Sequence, residues 1–90
     1  MDAQRETLKI LDEVLNLRGR SAGMSAASPL LGAIPELDSM AVIAILTTLE
    51  ERFGFVIEDD EVDGSVFATV GSLAAFLAEK LDGFGLSAVH

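Results

Sequence analysis

The sequence predicts an all-α protein: a small four-helix bundle with a long loop between helices one and two and a short third helix. Three observations lead there. Apolar residues recur at helical spacing in three separated stretches, and each stretch is followed directly by a glycine. No segment alternates apolar and polar residues for long enough to make a strand; Phe55–Ile57 is too short and has no partner run.

In the first stretch Leu8, Leu11 and Leu15 share a face, widened by Ile10, Val14 and Leu17, and Gly19 marks the end. In the second, Val42, Leu46, Leu49 and Phe53 form the stripe, with Ile43 and Ile45 beside it, and Gly54 follows. The third carries Val70, Leu73, Leu77 and Leu81 with Phe76, and stops at Gly83. Glycine tolerates the left-handed conformation that commonly closes a helix. Arg18, Arg52 and Lys80 fall in the expected last turns, where positive charge suits the helix dipole. Asp38 and Thr69 are the expected N-caps of the second and third stretches.

The connection from Arg20 to Leu37, RSAGMSAASPLLGAIPEL, is interrupted by Pro29 and Pro35, so no helical stripe survives it. Loops this long in small domains are often functional. Leu30, Leu31, Ile34 and Leu37 are expected to tuck into the core and hold it down. In the second connection, a helical turn or two within Asp60–Phe67 would bury Val62, Val66 and Phe67. Residues 1–82 then form one domain, and residues 83–90, GFGLSAVH, a flexible tail.

Composition narrows the function. Ninety residues allow one core, burying roughly 60–65% of the unfolded surface. Half the residues are apolar, unlike an acidic disordered tail. A net charge of −9 argues against nucleic acid and favours partners with basic faces. There is no cysteine, hence no disulfide and no thiolate metal site. The longest apolar run, Met40–Leu46, is far short of the ~20 residues that span a bilayer, so no transmembrane segment is expected. The N-terminus lacks a signal peptide's apolar core, and a cytoplasmic protein is expected.

Candidate chemistry is sparse. Asp59, Glu61, Asp63 and Gly64 imitate the opening of a calcium loop, but its twelfth position, which needs a bidentate acid, is Val70. A solvated acidic face is the simpler reading of EDDEVDG. His90 is the sole histidine and the last residue, with nothing to orient it as a base or ligand. Ser39, in ELDSMAVIAIL, has no adjacent base and no G-x-S-x-G around it, so an unaided hydrolase is excluded. By spacing alone, Asp38-Ser39 reads first as a helix cap, since caps are common.

The wider pattern resembles the acyl carrier proteins. LDSM (Leu37–Met40) is similar to the family's D-S-L, with methionine for leucine. LEERFG (Leu49–Gly54), a short acidic segment and TVGSLAAFL (Thr69–Leu77) follow in the family's order and spacing, so the resemblance covers roughly residues 3–82. It implies that Ser39 is no catalyst: a phosphopantetheinyl transferase moves 4'-phosphopantetheine from coenzyme A onto its hydroxyl, and acyl groups then travel on the terminal thiol as thioesters. Asp38 would cap the helix and hold Ser39 outward. Glu36, Glu50 and Glu51 would meet basic docking faces of acyl-loading and acyl-transfer enzymes, with Met40 as the apolar contact; a monomer suits such a shuttle. No metal and no catalytic residue is implied.

Two departures qualify the resemblance. The glycine of the common L-G-x-D-S-L is missing, Pro35, Glu36 and Leu37 standing before Asp38. Ala41, Ala44, Thr47 and Thr48 leave the exposed side of the second helix nearly neutral. Both point away from housekeeping fatty-acid synthesis. GAIPELDSMAV is similar to stand-alone bacterial carriers linked to exopolysaccharide and exosortase gene clusters. The alternatives are a carrier-like interaction module that is never modified, and a peptidyl or aminoacyl carrier.

Overall fold

The structure, a computed structural model, describes residues 2–83. Three α-helices make the frame: α1 (Ala3–Leu15), α2 (Ser39–Phe53) and α3 (Val70–Gly83). Single 3-10 turns lie in the two connections, at Arg20–Gly23 and Asp59–Glu61. The latter is all that stands where a short third helix was expected. The helix α3 reaches Gly83, and the remainder of the expected tail, with His90, lies outside the described residues.

Helix α1 is the hub, packing against both other helices and most extensively against α3. It turns Ile10, Leu11 and Leu15 inward, with Leu8 and Val14 half-buried. Helix α3 buries its whole expected stripe, Val70, Leu73, Phe76, Leu77 and Leu81. Each fully buried leucine is worth about 1.5–3 kcal/mol relative to an exposed one. The Thr7 hydroxyl is buried on α1 without a hydrogen-bond partner, and the structure offers no compensation for it.

The first helix stops earlier than its glycine suggests. Asn16 takes the left-handed conformation (φ 55°), and the N–H groups of Asn16 and Leu17 both donate to the Asp12 carbonyl. Asn is the usual alternative to Gly in that role. Gly19 (φ 87°) instead opens the 3-10 turn, and Arg18 lies beyond the helix rather than in its last turn. The Asp12 carboxylate organises this reversal. It accepts from the Gly19 N–H at 3.1 Å, the Ser21 N–H at 3.3 Å and the Ser21 hydroxyl at 2.6 Å. These bonds, that from the Ser21 hydroxyl foremost and Gly19 next, hold its pKa below the ordinary carboxylate value.

Four backbone hydrogen bonds then strap the long loop to the start of α3. Leu30 and Leu31 N–H donate to the Ala68 and Phe67 carbonyls, both at 2.9 Å. Val70 and Gly71 N–H donate to Ser28 and Ala26 carbonyls, at 3.0 and 2.8 Å. The last two satisfy donors that a helix start leaves free. The result is an isolated bridge between Pro29 and Thr69, the only β pairing among the described residues. Thr69 and Ser72 close the helix end reciprocally, each backbone N–H donating to the other's hydroxyl at 3.0 Å. The strap seats Leu30 and Leu37 in the core and leaves Ile34 half-buried, but Leu31, expected inside, is 50% exposed.

Helices α2 and α3 have no extensive contact of their own. The segment after Gly54 (φ 78°, the C-cap of α2) fills the space between them with buried Phe55 and Phe67 and half-buried Val62 and Val66. Glu61, bonded to Lys80 on α3 at 2.8 Å, and Glu50, accepting from Ile57 N–H at 2.8 Å, fasten this segment on either side.

Two outcomes follow. A methyl group at Gly71 would sit 2.9 Å from the Ala26 carbonyl oxygen. Overpacking costs about 1–3 kcal/mol, against at most ~1 kcal/mol of helix propensity gained. Gly71→Ala is therefore expected to lower the urea midpoint, and an unchanged midpoint contradicts the strap. For Asp12 the folded pKa lies below the unfolded one, so the unfolded chain binds the proton more readily at acid pH. The stability it lends is full above about pH 4 and lost as pH falls through the folded value. The advantage of the native chain over Asp12→Asn in urea midpoint should accordingly be constant near neutrality and shrink below that pH.

Candidate functional site

The segment Glu36–Met40 turns the long loop into α2. Asp38, in extended conformation, caps the helix: one carboxylate oxygen accepts from the Ala41 N–H at 2.8 Å, and its carbonyl accepts from Val42 N–H at 3.0 Å. Ser39 is the first helical residue and is exposed. Neither Ser39 nor Met40 has a partner for its backbone N–H among the described residues. An exposed hydroxyl thus stands beside two free donors at the positive end of a helix dipole, an arrangement that favours an attached anion.

Below Ser39, Met40, Ile43, Ala44, Thr47 and Glu51 are all exposed. Their spacing of three and four residues puts them on one face of α2. Met40 is 71% and Ile43 56% exposed, so this face is apolar near the serine and meets its first acid only at Glu51. Ile43 corrects the sequence reading, which placed it beside the buried stripe. The inward line of α2 is Ile45 and Leu49, with Val42, Leu46 and Phe53 only half-buried. A surplus of apolar residues around the helix, more than one stripe can bury, is the signal that an apolar patch stays outside.

The four acidic or apolar residues expected to meet partners do not form one patch. Glu36 and Met40 flank Asp38-Ser39. Glu50 and Glu51 lie at the far end of α2, roughly 18 Å along the axis from Ser39 at 1.5 Å per residue. Glu36 is also engaged: it forms an ion pair with Arg20, whose hydrogen bond is the main cause of a lowered Glu36 pKa. Glu50 is occupied in part by Ile57 N–H. Beside it opens a cleft of ≈ 310 Å³ lined by apolar Ile43, Leu46, Ile57 and Val62 and by polar Thr47, Glu50 and Glu58.

The acidic segment spends its carboxylates on near neighbours. Glu61 is held by Lys80, chiefly, and by the Glu58 N–H, and Asp63 by the Ser65 hydroxyl and N–H; both pKa values are lowered as a result. Among the described residues no three His, Cys, Asp or Glu side chains converge on a metal-sized site. Among them, too, no helix is long and apolar enough to cross a membrane.

The comparisons with known proteins agree with this geometry. Residues 8–77 match the family described as the phosphopantetheine attachment site. Among solved structures, the chain is similar to the solution NMR structure of a holo acyl carrier protein from Nitrosomonas europaea. The two share 49% sequence identity, the match covers 91% of this chain and 99% of that one, and the TM-score is 0.84. Among curated proteins none matches. A serine-led helix start, a three-helix frame and a family match over most of the sequence place this chain in the acyl carrier protein family, whose members are non-catalytic carriers of covalently attached 4'-phosphopantetheine.

Proposed function

We propose that Ser39 is the residue that receives 4'-phosphopantetheine and that the chain carries acyl groups as thioesters between partner enzymes. The observation that carries this reading is the exposed Ser39 hydroxyl at the start of α2, beside the unpartnered N–H groups of Ser39 and Met40. The group fits there, because its phosphodiester is an anion and those donors and the helix dipole favour one. When bound it supplies the thiol that a cysteine-free chain lacks.

The chain's own residues position and present. Asp38 fixes the first turn of α2 and thereby the direction of Ser39. Ser39 needs no base within the chain, since the transferase supplies proton transfer as the hydroxyl displaces adenosine 3',5'-bisphosphate from coenzyme A. Met40 and Ile43 offer an apolar contact beside the attachment point, and Glu51 an acidic one farther along the same face. Charges so placed speed encounter and set register more than they tighten binding, which suits a shuttle that must release. The net acidity and the LEERFG block (Leu49–Gly54) favour acyl over aminoacyl cargo. The carrier domain is residues 1–82, acting as a cytoplasmic monomer. The near-neutral first turns of α2 favour a specialised pathway with its own partner enzymes over housekeeping fatty-acid synthesis.

Intact-mass analysis after incubation with coenzyme A and a broad-specificity phosphopantetheinyl transferase should show the gain of one phosphopantetheine, absent in Ser39→Ala. An unchanged mass with several transferases would instead favour an interaction module that is never modified. Removal of the cap in Asp38→Ala should cost about 0.5–2 kcal/mol in urea unfolding, most of it recovered in Asp38→Asn, which keeps the capping oxygen.

A further inference from the structure

Glu36 lies three residues before Ser39, yet a cation of the chain itself already occupies it. The Arg20 guanidinium is fixed from two sides: Nε donates to the Leu17 carbonyl at 3.1 Å, and a terminal nitrogen pairs with Glu36. The Leu17 carbonyl is available because α1 ends at Leu15 and the Asp12 carboxylate folds the chain back through Gly19 and Ser21. Arg18, held at φ 57° in the same reversal, joins Arg20 and Glu36 in one shallow hollow with Asn16. A basic side chain approaching Glu36 from outside must therefore compete with Arg20 for it.

We infer that Arg20 is a specificity-determining residue that withholds Glu36 from basic partners and confines electrostatic docking to the Glu51 side of the exposed α2 face. This rests on the reading that partners dock through the acids flanking Ser39 and α2. Arg20 touches no partner in this role; it acts through Glu36. The pair remains open to competition, since the Arg20 side chain is 60% and that of Glu36 36% exposed. An exposed pair of this kind contributes little to stability, so the main consequence of Arg20 lies in which charges the surface displays. Among the chain's acids near the serine, Asp38 is committed to the α2 cap and Glu36 to Arg20. Of these two, Glu36 alone has its charge offset by a cation of the chain, so the net charge of −9 overstates the unpaired acid beside Ser39.

The test is the KM and kcat of a broad-specificity phosphopantetheinyl transferase with a basic docking face, acting on the full unmodified chain at low and high salt. Arg20→Gln should lower KM roughly two- to five-fold at low salt, the range open to an exposed ion pair, without a matching change in kcat. High salt should erase the gain. Arg20→Lys, which keeps the charge, should stay near the native KM. The gain should vanish in Arg20→Gln combined with Glu36→Gln, a protein of native net charge. Arg5→Gln, the same charge change on exposed α1, should not reproduce it. Three results overturn the inference. A native KM insensitive to salt and to Glu51→Gln removes the docking reading itself, and this inference with it. A salt-sensitive KM that Arg20→Gln leaves in place removes only the role of Arg20. A fall in KM shared by Arg20→Gln and by Glu36→Gln alone, or by Arg5→Gln, would mean a loosened loop or bulk charge and not an unmasked carboxylate.

Discussion

The strap between the long loop and the first turn of α3 is the constraint on which the other features rest. Without it, the chain from Asn16 to Asp38 has few ways to stay ordered, since it contains only one 3-10 turn and two prolines. Four main-chain hydrogen bonds are modest in net terms, about 0.5–1.5 kcal/mol each. Their importance lies in what they immobilise: Leu30 is fully buried, Leu37 nearly so, and Asp38 follows directly as the cap of α2. Gly71 belongs to the same device. It lies within α3, where glycine is otherwise unfavourable, because the loop carbonyl of Ala26 comes too close for a side chain.

Around that strap the protein divides into a tightly and a loosely packed side. Helices α1 and α3 share the most contact and bury nearly all of their apolar stripes. Helix α2 is seated mainly by Ile45 and Leu49, and the segment between Gly54 and Thr69 separates it from α3. Apart from the strap bonds at Phe67 and Ala68, that segment is fastened by side chains: Glu50 to Ile57, Glu61 to Lys80, and Lys80 5.8 Å over the ring of Phe55. Exposed pairs such as Arg52–Glu13 and Lys9–Glu6 contribute little to stability. The cleft and the exposed Met40 and Ile43 both belong to the looser side, so one helix carries Ser39, an exposed apolar face and one wall of the cleft.

For a carrier, an unactivated serine is consistent with the work assigned to it. If Ser39 takes the prosthetic group as proposed, a base beside it would serve no purpose because the transferase brings one, whereas a fixed helix start and free N–H donors would serve the attached phosphodiester. The displayed charge near Ser39 is also adjusted from within the chain, because Glu36 is paired with Arg20. Net acidity is therefore a poor guide to where a partner's cations would settle.

Local signals were legible wherever one residue and its near neighbours decide the outcome. The α3 stripe, the Gly54 stop, the Asp38 and Thr69 caps and the place of Ser39 at a helix mouth follow from spacing, conformational freedom and hydrogen-bonding capacity within a few residues. So does the end of α1 once Asn16, and not Gly19, is taken as its left-handed residue. Tertiary structure alone decided what depends on distant partners. Which apolar residues of α2 are buried turns on how little α3 approaches it, and so Ile43 faces outward. Leu31 is exposed because the strap fixes the loop's register around Leu30. The pairing of Arg20 with Glu36 joins residues from the two ends of the long loop, and no helical or strand period links such positions. A periodic pattern reports the face a residue occupies on its own element; what covers that face is set by the fold.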